Sequence, residues 1–332
     1  MTKTHQLLPI ARSQFVLILA FDGVTLTDIA GPSDVFQIAS EYLPWARPAT
    51  YRIVVASVHG GRVRTSCGIA IATEPLDSID ISSVDTLLVP GGGPPSDPPL
   101  PEGLIEWLRL FGGRARRVCA ICTGAFIVAE AGLADGKRMT SHWKANPVLA
   151  TRYPAARIED SPIFVRDGTI WSCAGFSAGI DLALSLLEDD WGYNAAIEVA
   201  RLVVVFLKRP GDQPQQSQSL AVQYAGDADF GKLHAWMLCN LSSDLSVEAL
   251  ARRSGMSTRT FARRYVEKVG RTPAKTVELF RVEAAARRIC ETDASLKQIA
   301  RDCGFGDEQQ LRRSYIRRFG SLPSQCVREG LD

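Results

Sequence analysis

Short apolar runs alternate with amphipathic stretches over residues 15–208. The apolar runs are typical of buried strands, and the stretches between them have the periodicity of helices. The predicted strands are Phe15–Ala20, Tyr51–Ser57, Thr86–Val89 and Arg117–Ile121, with a small mixed-strand region between Arg157 and Cys173. The predicted helices are Asp28–Ala39, Leu104–Phe111, Thr123–Ala131, Phe176–Glu188 and, roughly, Asn194–Lys208. This alternation predicts an α/β domain in which helices cover both faces of a parallel sheet.

The apolar periodicity breaks off after residue 208. Arg209–Ser219 combines Pro, Gly, Gln, Ser and Asp without apolar anchors, which is typical of a linker open to proteolysis. The chain beyond it is predicted to be all-helical, and its helix Pro273–Cys290 carries an apolar stripe made of Leu279, Val282, Ala286 and Ile289. The expected organisation is a first domain over residues 14–208, a linker over 209–226 and a second domain over 227–330.

The second domain contains the same pattern twice. Each copy is a short helix with a small Ala on its inner face, a Gly at the turn, an Arg-rich helix and a Gly-x-x-Pro stop. The copies are Leu250–Gly255, Phe261–Tyr265 and Gly270–Pro273, then Ile299–Gly304, Leu311–Tyr315 and Gly320–Pro323. Ala lets two helices approach closely, and Gly tolerates the left-handed turn. The duplication predicts two helix-turn-helix motifs, whose second helices enter the DNA major groove.

Residues from about Asp227 to Glu329 resemble the DNA-binding domain of AraC/XylS transcription factors. The resemblance implies that both reading helices face one side of the DNA, in successive major grooves. The outward residues of these helices, predicted to contact DNA, are Arg259, Thr260, Arg263, Arg264, Glu308, Gln309, Arg312 and Arg313. Arg favours guanine edges and Gln favours adenine edges. Each of these residues alone is equally well explained as a phosphate contact or a solvated side chain.

The segment Val118–Ala125 runs from a buried strand through a small-residue turn into a helix. This arrangement resembles a nucleophile elbow with Cys122 at its apex. A helix N-terminus lowers a thiol pKa, so Cys122 is expected to be the most reactive of the eight cysteines. The glycines Gly91–Gly93 are candidates to present backbone N–H groups to an oxyanion. Cys119 and Cys122 are alternatively a redox pair or half a zinc site, but no second ligand pair completes a tetrahedron.

Residues 14–208 resemble the class I glutamine-amidotransferase-like fold, in the branch of the PfpI proteases and isonitrile hydratases. The resemblance implies a flavodoxin-like sandwich. Asp28, Cys122 and Thr123 match the Asp, Cys and Thr that work together in the hydratases, whereas the proteases have His after the Cys. His142 lies where several relatives place a His near the thiol, and Asp181 either orients it or is a helix-surface acid. The predicted ligand-binding residues are Asp28, Gly92, Gly93, Cys122, Thr123 and His142.

The charge of the chain is divided unevenly. From Gly226 onward there are 19 basic and 14 acidic residues, a net charge of +5, whereas the preceding residues carry a net charge of −3. A basic end is typical of a polyanion-binding module. Met1–Gln14 lacks the apolar core of a signal peptide, and the longest aliphatic run, Leu202–Leu207, is too short to span a bilayer. Scattered cysteines favour a reducing compartment, so we expect a cytoplasmic protein that makes no membrane contact.

The two halves together resemble GlxA-type transcriptional regulators, in which the amidotransferase-like pocket senses a ligand. The expected partners are double-stranded DNA, a small effector of the amine, amide or amino acid class and a second copy of the chain, with RNA polymerase as a further candidate. No cofactor and no metal are predicted. Two alternatives remain open: a cysteine-dependent hydratase or hydrolase that uses Asp28, Cys122 and Thr123, and a dimerisation platform without a ligand.

Overall fold

The chain divides between Gln215 and Gln216 into two units. The computed structural model describes residues 14–43, 51–205, 208–216, 228–291, 294–319 and 322–323. Within the described part of the first unit, an eight-stranded sheet has the order β3-β4-β2-β1-β5-β6-β10-β9. Its strands are β1 (Gln14–Leu19), β2 (Tyr51–Ser57), β3 (Gly61–Arg64), β4 (Ala70–Pro75), β5 (Val84–Val89), β6 (Arg117–Ile121), β9 (Phe164–Asp167) and β10 (Ile170–Cys173). Two short strands, β7 (Arg138–Met139) and β8 (Arg157–Ile158), pair with each other.

Six α-helices accompany this sheet in the described part of the first unit. They are α1 (Leu26–Tyr42), α2 (Glu102–Phe111), α3 (Gly124–Glu130), α4 (Asn146–Arg152), α5 (Ser177–Trp191) and α6 (Tyr193–Leu202). α1, α5 and α6 pack together, and α2 packs on α3. The connection from β1 to β2, which contains α1, and the connection from β5 to β6, which contains α2, cross the sheet in opposite directions. Because both connections are right-handed, α1 and α2 lie on opposite faces of the sheet. The predicted α/β sandwich with a mostly parallel sheet is therefore confirmed.

The order of the parallel strands reverses between β1 and β5. From β1 the chain crosses to β2 on one side, and from β5 it crosses to β6 on the other. Four consecutive residues of β1, Val16–Leu19, are fully buried, as expected for a strand that is covered on both faces. In such sheets, ligands bind in the crevice outside the carboxyl ends of the strands beside the reversal. The fold therefore predicts that a ligand site lies among the loops that follow β1, β5 and β6.

Two of the differences from the sequence prediction have a clear physical cause. The β3–β4 hairpin was not predicted, because β4 alternates exposed with half-exposed residues and contains no apolar run. Helix α6 ends at Leu202 rather than at Lys208. Val204 takes a left-handed φ of 56°, and the Val205 N–H donates to the carbonyl of Ala200, so the last turn closes there.

The segment predicted as a linker begins as part of the first unit. Arg209 donates from its backbone N–H and its guanidinium to the carboxylate of Asp181. The Gln215 side chain donates to the carbonyl of Ser141 at 2.8 Å. The expectation that an unanchored linker starts at Arg209 is therefore wrong for Arg209–Gln215, because side-chain hydrogen bonds replace the missing apolar contacts. Residues 217–227 lie outside the described residues.

The second unit is built from two helix-turn-helix motifs. Its helices are α7 (Ala228–Cys239), α8 (Val247–Arg253), α9 (Thr258–Val269), α10 (Pro273–Glu291), α11 (Leu296–Asp302) and α12 (Glu308–Phe319). The two inner-face alanines, Ala251 and Ala300, are buried at equivalent places. The turn glycines have left-handed φ values, 66° at Gly255 and 79° at Gly304. The side-chain sizes thus identified the motifs correctly.

Helix α10 holds the two motifs together. Its N-terminal half contributes Val277 and Phe280 to a core with α7, α8 and α9. Its C-terminal half contributes Val282 and Ile289 to a second core with α11 and α12. The predicted rigid connection is confirmed, since one continuous helix is buried in both cores. None of the helices in the described parts of the chain is long and apolar enough to cross a lipid bilayer.

A buried histidine lies at the centre of the first of these cores. His234 is fully buried, and its Nε2 lies 2.6 Å from the hydroxyl of Tyr265. The edges of the Tyr265 and Phe280 rings meet the imidazole. Burial lowers the pKa of His234 from 6.5 to about 4. The neutral imidazole is therefore the form that this core accepts.

We expect acid to destabilise the second unit through His234. Its folded pKa is depressed, so its stabilising contribution is complete above pH 6.5 and is lost as the pH falls toward 4. Between pH 7.5 and pH 5 the free energy of unfolding should fall by about 2 kcal/mol from this group. Calorimetry of the wild type and His234→Gln should show that the variant loses this pH dependence. His59→Gln, at an exposed histidine of the first unit, is the control; equal pH dependence in all three proteins would contradict the assignment.

Candidate functional site

Cys122 lies at the apex of a strained turn between β6 and α3. Its φ is 55°, a left-handed conformation that is rare outside glycine. The Cys122 N–H donates to the carbonyl of Cys173 at 2.9 Å. A side chain at Gly175 would overlap Cβ of Cys122, and one at Gly124 would overlap the carbonyl of Val89. The turn therefore depends on glycines in two segments, and it has the elbow geometry that the sequence predicts.

Asp28 is a buried carboxylic acid beside this turn. It lies in the first turn of α1 and is fully buried. Its Oδ1 accepts a 2.8 Å hydrogen bond from the Phe176 N–H, and its Oδ2 accepts a 3.3 Å bond from the Gly91 N–H. Burial raises its pKa from 3.8 to about 6, against the opposing effect of these two bonds. Asp28 acts electrostatically on Cys122, so the structure brings together the two residues that sequence comparison matched.

Thr123 is bound to the glycine loop that follows β5. Its hydroxyl donates to the Gly92 carbonyl and accepts from the Gly92 N–H, both at 2.9 Å. A Cβ at Gly91 would lie 2.5 Å from Oγ1 of Thr123, so glycine is required for this contact. The N–H groups of Gly91 and Gly92 are thus already used by Asp28 and Thr123. The expectation that they face an oxyanion is not met at these two residues. Gly93, which follows, takes a left-handed φ of 67°.

The Cys122 thiol is closed off from solvent. The residue is 6% exposed, and burial, reinforced by Asp28, raises the pKa of its thiol to about 12. The N-terminus of α3 does not compensate for this desolvation. This raised pKa argues against the expectation that Cys122 is the most reactive thiol, which stays a prediction. Cys67, exposed in the turn between β3 and β4, instead has its pKa lowered by the Thr65 hydroxyl.

Aromatic side chains on two segments that contact the elbow turn form what we call the aromatic rim. Ser141 donates from its hydroxyl to the Cys122 carbonyl at 2.6 Å, which brings the neighbouring His142 close to the site. The half-buried His142 ring meets the ring of Phe176 edge-on at 6.5 Å. Phe176 is 50% exposed with a φ of 50°, and Trp143 is 43% exposed. Sequence reasoning missed Phe176, because it fell inside a predicted helix and nothing in the local sequence indicates its left-handed backbone.

Two remaining sequence alternatives find no support. Asp181 pairs with Arg209 at 2.6 Å rather than orienting His142. Its position on α5 is explained by that ion pair. Cys119 is buried within β6. In the part of the chain that the structure describes, no three His, Cys, Asp or Glu side chains are grouped to hold a metal ion.

The two reading helices present the predicted residues to solvent. On α9, Arg259, Thr260, Arg263 and Arg264 are all exposed, whereas Phe261 and Tyr265 are buried. On α12, Gln309, Arg312 and Arg313 are exposed, and Leu311 and Tyr315 are buried. Glu308 differs from the others. It is half-buried, and its carboxylate pairs with Arg312 at 2.6 Å.

The fold of the first unit agrees with comparisons to known families. Residues 14–189 match the DJ-1/PfpI family. The chain belongs to the DJ-1/PfpI family. Residues 250–329 match a helix-turn-helix domain, which agrees with the duplicated motif in the second unit. The predicted combination of a PfpI-like domain with a helix-turn-helix domain is thus confirmed.

Two relatives that align with most of this chain are named as transcriptional regulators. The chain is 30% identical over 317 residues to the HTH-type transcriptional regulator CdhR of Pseudomonas aeruginosa, covering 94% of this chain and 91% of the relative. It is 27% identical to the HTH-type transcriptional regulator GlxA of Rhizobium meliloti, covering 84% and 85% of the two chains. These relatives confirm the GlxA-type organisation that the sequence predicts.

Shorter relatives match the first unit. An isonitrile hydratase of Pseudomonas putida is 27% identical over 235 residues, covering 70% of this chain and 95% of the hydratase. The solved structure of an AraC family transcriptional regulator from Pseudomonas putida superposes with a TM-score of 0.51 at 22% identity, covering 57% of this chain and 99% of that one. The likeness to the solved structure supports the fold of the first unit.

Asp28→Asn should remove the loss of stability that ionisation of Asp28 causes as the pH rises. The folded pKa of this carboxyl group is raised, so its stabilising contribution is complete below pH 3.8 and is lost as the pH rises through about 6. Between pH 4.5 and pH 8 the wild type should lose about 2 kcal/mol that Asp28→Asn retains. Urea unfolding at both pH values measures the difference. Asp34→Asn, at an exposed position on the same helix, should behave as wild type; a parallel response of both variants would refute the buried acid.

Proposed function

We propose that this protein is a DNA-binding transcriptional regulator whose DJ-1/PfpI domain senses a small molecule at the Cys122 elbow. The observation that carries the proposal is the pair of exposed Arg-rich helices, α9 and α12, in a chain that aligns over nearly its whole length with regulators. The elbow domain then supplies the signal, and the second unit supplies the DNA contact.

The second unit is suited to reading two DNA segments in succession. Since α10 is buried in both cores, the two motifs cannot move independently without breaking a core. This rigidity supports binding to successive major grooves, about 34 Å apart. The ion pair between Glu308 and Arg312 suggests a role for the acid: it orients the Arg312 guanidinium toward a base edge. Arg263, paired only loosely with Glu267 at 3.9 Å, is free to contact guanine directly.

Arg263→Ala should weaken specific DNA binding by about 1–3 kcal/mol and relax selectivity at one base pair. The suitable probe is a duplex selected from a random pool by the full-length protein, measured at several salt concentrations, because affinity should fall steeply with salt. Arg62→Ala removes the same charge from an exposed position of the first unit and should leave affinity unchanged. Equal weakening on every sequence would show that Arg263 contacts phosphate only.

The elbow supports sensing better than catalysis. A nucleophilic thiol needs a lowered pKa, whereas burial raises the pKa of Cys122 to about 12. The Thr123 hydroxyl and the N–H groups of Gly91 and Gly92 are all engaged within the protein. Although burial raises the pKa of Asp28, its value of about 6 is below 7.5, so the carboxyl group is largely ionised at pH 7.5. Together with the aromatic rim, this negative charge favours a ligand with a polar or cationic nitrogen, which is the amine, amide or amino acid class.

The second candidate function is a hydratase or hydrolase. Similarity to an isonitrile hydratase, together with Asp28, Cys122 and Thr123, keeps this candidate open. The two functions give different results with purified protein. Turnover of an isonitrile or amide that Cys122→Ser abolishes would favour the enzyme, whereas binding without turnover favours the sensor.

We further propose a homodimer joined through the first domain, with RNA polymerase as a partner at the promoter.

A thermal-shift screen of the full-length protein against amines, amides and amino acids tests the sensor. A ligand present at 100 times its dissociation constant should add about 2.7 kcal/mol of stability. Cys122→Ser and Phe176→Ala should each reduce the shift while DNA binding persists. Leu110→Ala removes another exposed apolar side chain, on α2, and should leave the shift intact. An undiminished shift in both elbow variants would place the ligand elsewhere.

A further inference from the structure

The last described segment of the first unit, Arg209–Gln215, runs alongside the sheet edge, and we call it the strap. The Gln215 N–H donates to the Ser161 carbonyl at 2.8 Å, and the Ile163 N–H donates to the Gln213 carbonyl at 2.9 Å. Pro162 and Pro214 form an isolated antiparallel bridge between them. The strap is therefore docked by backbone hydrogen bonds just before the chain passes into the second unit.

Two side chains of the strap extend this docking to separate loops. Gln215 donates through Nε2 to Thr140 Oγ1, to the Ser141 carbonyl and to the Pro162 carbonyl, at distances from 2.8 to 3.0 Å. Arg209 donates to Asp181 and to the Ser177 hydroxyl, both on α5. The strap thus connects the 140–142 loop with the first turns of α5.

Both connections lead directly to the elbow. Ser141, whose carbonyl accepts from Gln215, donates through its hydroxyl to the Cys122 carbonyl at 2.6 Å. Ser177, which accepts from Arg209, follows Phe176, whose N–H donates to Asp28 at 2.8 Å. The 140–142 loop and the 175–177 segment both contact Cys122, and we call them the two walls of the site. Each end of the strap is therefore attached to one wall of the candidate ligand site.

Ligand binding at Cys122 requires these walls to separate. Cys122 is only 6% exposed, and a methyl group at Gly175 would already lie 3.0 Å from Sγ. The docking of the strap is also incomplete. Oε1 of Gln215 is buried without a hydrogen-bond partner among the described residues, which costs free energy in the docked state. Because of this cost, the strap is more easily released from the first unit when a wall moves.

We propose that the strap couples occupancy of the Cys122 site to the DNA-binding unit. A ligand that separates the two walls breaks the Gln215 or Arg209 anchors and releases Arg209–Gln215. Release frees seven further residues from the first unit, a reach of up to about 23 Å, and so changes the freedom with which the second unit meets DNA. This inference rests on the proposed sensing function, and Gln215 and Arg209 act in it as positioning residues.

Alkylation of Cys122 tests whether occupancy of the elbow releases the strap. Prolonged treatment of the full-length protein with excess iodoacetamide at pH 8.5 alkylates Cys122 when the site opens transiently, and the added carbamidomethyl group is too large for the space beside Gly175. Hydrogen exchange of the amides at residues 211–213 and 215 should then accelerate at least fivefold. Cys122→Ser, treated identically, is labelled only at other cysteines and should show no acceleration. Unchanged exchange in protein fully labelled at Cys122 would overturn the proposal.

Strap variants test the reverse direction, because coupling between two sites is reciprocal. Gln215→Ala removes one anchor, and Gly211→Val places a side chain against the Phe164 ring, which a Cβ at Gly211 would meet at 2.6 Å. Each variant should speed labelling of Cys122 at least fivefold and change affinity for the selected duplex at least threefold. Asp212→Ala, at an exposed position of the same strap, should match wild type.

Hydrogen exchange separates the outcomes. If residues 211–215 are released in both variants while Cys122 labelling and DNA affinity stay within twofold of wild type, the strap is only a surface attachment and the proposal fails. If neither variant releases the strap, the anchors do not hold it and the proposal fails as well. If coupling is observed but no metabolite shifts thermal stability, the sensing function fails while the coupling stands.

Discussion

The candidate site depends on one buried carboxyl group. Asp28 accepts hydrogen bonds from Gly91 and from Phe176, so one side chain on α1 joins the loop after β5 to the segment before α5. Cys122 lies at the junction of these segments, and its left-handed backbone is accommodated because Gly175 and Gly124 leave room for it. The cost of burying the acid appears in its raised pKa. Such cost is typical of a site kept for function rather than for stability.

The elbow illustrates how similar residues can support different uses. An exposed thiol with a lowered pKa, beside unpaired N–H groups, would be equipped for nucleophilic chemistry. Here the thiol is buried, the Thr123 hydroxyl is bound to Gly92 and the loop N–H groups are engaged. The same arrangement fits the proposed sensing role, in which a ligand displaces two walls that hydrogen bonds connect to the strap.

The second unit was predicted closely, because its signals are local and repeated. Steric requirements within a few residues explain Ala251, Gly255 and their counterparts in the second motif. The buried Phe261 and Tyr265 identify which face of α9 points outward. The first unit was predicted well as strands and helices but less well as a site. The role of Phe176 depends on Asp28, which is distant in sequence, and the β3–β4 hairpin has no apolar pattern to announce it.

The sequence alone determined the α/β order through its periodicity, and the two helix-turn-helix motifs and the position of the elbow through the sizes of neighbouring side chains. Only the tertiary structure decided the chemistry of the elbow and the fate of Arg209–Gln215. Burial, which sets the pKa values of Cys122 and Asp28, is created by segments that converge from several strands. A polar, proline-containing segment has no local pattern that predicts docking, since its hydrogen-bond partners, Ser141 and Asp181, are set by the fold.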